Sequence, residues 1–138
     1  MNRSDLQKLA SLRIKEAKTL LDNDRYEGAY YLAGYAVECA LKACIAKKTK
    51  RFDFPDKELA NKSYTHKLEA LVGQSGMEGE LRKARKSSRD FAKNWAVVKD
   101  WTEEHRYRTV ISKKLAGDLY SAIVSKKYGV LTWLRNFW

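Results

Sequence analysis

Apolar residues recur along this chain at helical spacing, and no segment alternates as a strand requires. Over residues 4–22, Leu6, Leu9, Ala10, Ile14, Ala17, Leu20 and Leu21 fall on one arc of a helical wheel. Ser4 and Gln7 make a capping-box pattern at its start. Arg13 falls inside the apolar arc, where a guanidinium must snorkel or find a partner. Asn23 and Asp24 interrupt the period and can cap a second helix over residues 25–48. That helix contains AYYLAGYAVECALKA, residues 29–43. It is apolar nearly all round, as expected of a helix packed on several sides. Ala29, Ala33, Ala36, Ala40 and Ala43 form a smooth stripe against which another helix can come close.

Residues 49–64, TKRFDFPDKELANKSY, read as the longest irregular stretch, with Pro55 and scattered charges opposing a long helix. Thr65 is expected to cap a short helix, HKLEALVG, that stops at Gly73. A helix over residues 78–100 follows, with Met77, Leu81, Ala84, Ser88, Phe91, Trp95 and Val98 on a heptad seam. Residues 101–112 read as a turn with extended ends. The last helix, residues 113–138, carries two apolar rows. One is Leu119, Ile123, Val130, Trp133 and Phe137; the other is Tyr120, Val124, Leu131 and Leu134. The pattern predicts an all-α fold: an antiparallel up-and-down bundle of four long helices plus one short helix. Two apolar rows and the alanine stripe suggest a homodimer.

At 138 residues the chain fits a single domain spanning 1–138, large enough to bury a core without disulfides. Cys39 and Cys44 point about 140° apart on one helix and cannot pair with each other. A reducing cytoplasm is the compartment expected. Residues 28–45 are apolar, but Glu38, Lys42 and three tyrosines argue against a membrane span.

Charge changes the picture more. The net charge is +11. Residues 1–41 hold six basic and six acidic groups, whereas residues 42–138 hold twenty-two and eleven. So uneven a positive field attracts polyanions. Arg82, Lys83, Arg85, Lys86, Arg89 and Lys93 lie on the outer face predicted for residues 78–100, making it the candidate polyanion surface.

Candidate chemistry sits in two places. Glu38 shares a wheel edge with Tyr31, Tyr35 and Lys42, and Lys42 is one turn on, in the favourable orientation for an ion pair. If buried, Glu38 needs charge-assisted partners; Arg13, Lys42, the tyrosine hydroxyls and Arg106 are the candidates for such a network. The segment WTEEHRYR, residues 101–108, gathers an imidazole, two guanidiniums, two carboxylates and two aromatic rings. His105 and His66 are the candidate proton-transfer groups, and Arg106 the candidate phosphate group. Arg106, Tyr107 and Trp101 could also bind phosphate and stack bases. Two histidines and two cysteines without clustered spacing offer no zinc site, and no glycine-rich phosphate loop or serine-hydrolase signature occurs. No cofactor is expected.

The segments RIKEAKTLLDNDRYEGAYYLAGYAVECALKACI, THKLEAL and NWAVVKDWTEEHRYR together resemble the HEPN domain family. The resemblance covers nearly the whole chain and rests on the AYYLAGYAVECALKA segment in combination with the W-x4-RY turn. It implies a dimerising bundle of four to five helices. It further implies an RNA-directed role: either a metal-independent ribonuclease, often a toxin paired with a nucleotidyltransferase (MNT-type) antitoxin, or a non-catalytic binder of RNA or nucleotide. The family's nucleases carry an Arg, four to six residues, then a His, with the substrate's 2′-hydroxyl as nucleophile. Here Arg106 is followed at those offsets by Ile111, Ser112 and Lys113, and Arg89 by Asn94, Trp95 and Ala96. The expectation is therefore a dimeric protein that binds RNA or nucleotide, using Arg106, Tyr107, Trp101, Arg82, Arg85, Arg89 and Lys93. Its alternatives are a ribonuclease with a non-standard site and an adaptor for a nucleotidyltransferase.

Overall fold

The computed structural model describes residues 1–48 and 61–138. Among these residues there are seven α-helices, one 3-10 helix and no strand, so the all-helical bundle expected from the periodicity is present. Residues 49–60, the greater part of the stretch expected to be irregular, lie outside the described residues; Asn61 and Lys62 are helical.

Helix α1 (Arg3–Asp22) starts earlier than Ser4 would place it. Asn2 is the cap. Its Oδ1 accepts from Asp5 N at 2.8 Å, and Asp5 Oδ2 accepts from Asn2 N at 3.2 Å. This reciprocal box satisfies two free amides and puts a carboxylate at the positive helix end, which Ser4 and Gln7 would not do. Asp24 turns the chain with φ +60°, a left-handed conformation that aspartate tolerates better than most residues. Helix α2 (Tyr26–Lys48) then runs back along α1. Ala33, Ala36, Ala40 and Ala43 of α2, and Ala10 and Ala17 of α1, are all fully buried. Small side chains on both helices let the backbones approach. Helix α2 is the axis of the molecule, packed by α1 and by four elements from later in the chain, residues 68–75, 103–107, 113–124 and 130–134.

Helix α3 (Leu68–Ser75) differs from expectation at both ends. Lys67 is its cap position, while Thr65 Oγ1 accepts from Lys67 N one step earlier, at 3.2 Å. Gly73 stays helical; the stop is Gly76, left-handed at φ +75°, with Met77 N bonded back to Val72 O.

The fourth predicted helix is two helices. Helix α4 (Glu78–Ser87) and helix α5 (Arg89–Val98) are separated by Ser88, which is extended at φ −142°, ψ 118°. Ser88 N closes α4 on Ala84 O at 3.1 Å, and Ser88 Oγ accepts from Phe91 N at 3.1 Å to cap α5. A heptad seam survives the break because Met77, Leu81, Phe91, Trp95 and Val98 are still buried.

The chain continues through a 3-10 helix (Glu103–Tyr107), helix α6 (Lys113–Val124) and helix α7 (Val130–Leu134). The single last helix expected over residues 113–138 is thus interrupted. Gly129 explains where: a Cβ there would lie 2.5 Å from Ser125 O and 2.6 Å from Ile123 O, so only glycine allows the close return. Asn94 Nδ2 of α5 donates to Tyr128 O at 2.9 Å and holds the corner.

The features that suggested a dimer are largely consumed inside one chain. The alanine stripe is buried by α1 and its neighbours, and Leu131 and Leu134 of the second apolar row are buried too. No helix among the described residues is long and apolar enough to cross a membrane.

Candidate functional site

Tyr31, Tyr35, Glu38 and Lys42 recur every three or four residues and therefore line one edge of α2. Glu38 is 1% exposed. Burial of a carboxylate is tolerated only when it is paired, and both oxygens are. Lys42 Nζ lies 3.4 Å from Oε2, the ion pair expected from the sequence. His66 Nδ1 lies 3.0 Å from Oε1. Arg13, a candidate for this network, instead pairs with Glu16 at 2.7 Å on its own helix, and both stay partly exposed. The local i,i+3 partner lets the guanidinium reach solvent, which costs less than burying it.

The aromatic members of the edge stack in sequence. Tyr31 lies against Tyr35 with ring centroids 6.0 Å apart, and against Trp101 at the same separation. Tyr35 lies one turn before Cys39, and burial raises its hydroxyl pKa. Burial, with the Glu38 charge adding to it, pushes the Cys39 thiol up to about 11.

Residues 101–108 divide into a buried foundation and an exposed tip. Trp101 is fully buried. It lies flat on Gly34, where an added Cβ would sit 2.3 Å from the indole. Trp101 therefore supports the site from beneath and offers no face to a ligand. His105 Nδ1 is 3.2 Å from Thr102 N and 2.9 Å from Thr102 O, and its ring tilts onto Tyr30 at 4.7 Å. Those contacts make His105 a brace of the turn. Arg106 is exposed, as are Glu104, Tyr107 and Arg108. Arg106 Nη2 donates to the Tyr107 hydroxyl at 2.8 Å, its guanidinium carbon lies 4.8 Å from that ring's centroid, and Tyr31 is near enough to interact with it electrostatically. The Tyr107 phenol thus holds the guanidinium at the surface, with Tyr31 of α2 nearby.

The helix 78–100 cations are placed differently. Arg82 and Arg85 line a groove of about 400 Å³ between α3, α4 and α5, together with Glu69, Glu78, Trp95 and Lys99. Arg89 and Lys93 are exposed on α5, beyond the Ser88 break. The 3-10 helix packs on α2. Arg106 and the α4 arginines therefore belong to separate surfaces. Among the described residues no three His, Cys, Asp or Glu side chains gather as a metal site requires.

Sequence reasoning missed the pairing of His66 with Glu38. Twenty-eight residues separate them, and no local pattern signals a contact between a loop imidazole and a helix carboxylate.

No curated protein and no solved structure gives a significant match to the chain. The HEPN domain family matches residues 4–127, nearly the whole length. With its helical bundle and its W-x4-RY turn in place, the chain belongs to the HEPN domain family, whose roles are nucleotide- and RNA-related.

Proposed function

We propose that the protein is a dimeric HEPN module that binds single-stranded RNA or a nucleotide at the edge formed by Arg106, Tyr107, Tyr31 and Tyr35. The observation that carries this reading is the Arg106 guanidinium, exposed yet held by Tyr107 and close to Tyr31. A fixed guanidinium suits a phosphate, and neighbouring aromatic rings suit unstacked bases. The excess positive charge of residues 42–138 favours the approach of any polyanion. The surface cations Arg82, Arg85, Arg89 and Lys93 then add long-range attraction, from their own faces, to the contacts made at Arg106. Tyr107, Val110 and Leu115, which follow Arg106 within nine residues, are exposed at 72%, 81% and 42%. Covering them with a second copy would bring two Arg106 corners near one another.

Anisotropy of a labelled single-stranded RNA, titrated across about 50–200 mM salt, tests the reading. Affinity should fall linearly on logarithmic axes. Arg106→Ala should weaken binding about tenfold and lower the salt slope by about one. A salt-independent affinity, or an unchanged one in Arg106→Ala, would remove Arg106 as the phosphate contact. No binding of RNA or nucleotide at all would leave the nucleotidyltransferase adaptor as the reading to pursue.

A further inference from the structure

The groove of about 400 Å³ between α3, α4 and α5 has an apolar floor and a charged rim. The floor is Val72 of α3, Leu81 of α4 and Trp95 of α5, none more than 9% exposed. On the rim, Arg82 and Arg85 stand three residues apart on α4 and so share a face. Glu69, Glu78 and Lys99 complete it.

The rim's charges are not matched to one another. Lys99 Nζ lies 3.1 Å from Asp100 and 3.9 Å from Glu69. Glu78 stands four residues before Arg82, the spacing and direction that favour a helical ion pair, yet no such pair forms. Its Oε1 is turned towards α3, 3.1 Å from where a Cβ on Gly73 would lie. Among the described residues, neither the Arg82 nor the Arg85 guanidinium has an ion-pair or hydrogen-bond partner. Both are exposed.

A nucleic-acid strand suits this groove poorly. Trp95 is 2% exposed and offers no face on which a base could stack, and Glu69 and Glu78 repel a phosphate backbone. An acidic peptide suits it on three counts. Its carboxylates can meet the guanidiniums in bidentate pairs. Its amide N–H groups can donate to the rim carboxylates, and an apolar side chain can reach the floor. The volume lies at the small end of the range for ligand pockets, about 300–1,000 Å³, so a short segment fits and a broad folded surface does not.

We propose that this groove binds a short acidic segment of a protein partner, one with an apolar side chain between two carboxylates. Arg82 and Arg85 hold the carboxylates, and Val72, Leu81 and Trp95 receive the apolar side chain. The site is separate from the Arg106 corner and makes no use of it.

The test uses the full chain and the anisotropy of three labelled eight-residue peptides. The first carries a leucine between two glutamates. The second has serine for the leucine, and the third has glutamine for both glutamates. The first should bind, and each of the others should bind about tenfold more weakly. The double variant Arg82→Ala with Arg85→Ala, altered at exposed positions, should bind the first peptide about tenfold more weakly and no longer distinguish it from the third. Arg82→Lys with Arg85→Lys keeps the charge without the fork, so its affinity should fall between wild type and double alanine variant. Arg106→Ala should bind the first peptide as the wild type does. Failure of the first peptide to bind would overturn the proposal. So would equal affinity for the leucine and serine peptides, or unchanged affinity in the double alanine variant. Single-stranded RNA that displaces the peptide from Arg106→Ala would overturn it too, and would make the groove a nucleic-acid site.

Discussion

The contact between Gly34 and Trp101 fixes the floor of the candidate site. With a Cβ 2.3 Å from the indole, Gly34→Ala forces the ring or α2 to move. Overpacking of this kind costs about 1–3 kcal/mol. A thermal midpoint several degrees lower, with weaker RNA binding because Tyr31 shifts with the ring, is the expected result of calorimetry and anisotropy. The buried thiols give a pH prediction. Burial raises both Cys39 and Cys44 from 9.0 to about 11, and it raises the Tyr30 and Tyr35 hydroxyls as well. The folded chain then holds protons that the unfolded chain releases, so the stabilisation is complete below pH 9 and is lost as pH rises to about 11. The gap is worth up to about 3 kcal/mol per thiol. Thermal melts should therefore decline across that window, and the thiols should resist alkylation at neutral pH until the chain is unfolded. At this scale the sequence identified Glu38, Lys42 and Arg106, because i,i+4 pairing and an isolated basic turn are local signals. It offered His66 as a candidate but hid its pairing with Glu38, which lies on another element, and it made Trp101 look accessible, because burial of a turn residue depends on what packs over it.

Helix boundaries were legible where a cap is local and the apolar face long. Helices α1 and α2 follow the predicted spans within one or two residues. The two long helices expected nearer the C-terminus are broken, and in both cases the apolar rows run straight through the break. Periodicity reports which face is buried, so it is blind to a one-residue extension such as Ser88 that preserves the face. The signal that existed was chemical: a serine followed by Asp90 in a first helical turn. Ser88→Ala should remove the cap of α5 and cost about 1 kcal/mol. Ser87→Ala, whose hydroxyl only returns a bond to Ala84 O at an exposed site, should be nearly neutral. Equal losses in denaturant titrations of the two variants would show that Ser88 does not start α5.

Over the whole molecule, the charge asymmetry and the apolar patch near Arg106 pull in different directions. Positive surfaces repel one another, and at physiological salt that repulsion fades beyond about 8 Å. A second copy seated on Tyr107, Val110 and Leu115 would need its contact to outweigh whatever repulsion is left. Self-association should therefore strengthen with salt, while RNA binding weakens. Val110→Glu, placed at an 81% exposed position, should abolish the dimer without lowering the thermal midpoint of the monomer. Sedimentation of both proteins at low and high salt measures this, and a wild-type chain that stays monomeric throughout would refute the proposed assembly. The alanine stripe that suggested a dimer in the sequence has a use within one chain. A helix apolar on several sides needs several neighbours, and α2 finds them all within its own chain.

Trp101 is sealed from solvent, and its ring stacks on Tyr31, which in turn lies close to the Arg106 guanidinium. Its indole nitrogen is buried without a hydrogen-bond partner. An indole in so apolar a setting emits towards the blue, and energy passes readily between it and a stacked phenol. Occupancy of the arginine corner is thereby coupled to an optical signal that the protein carries without any added dye.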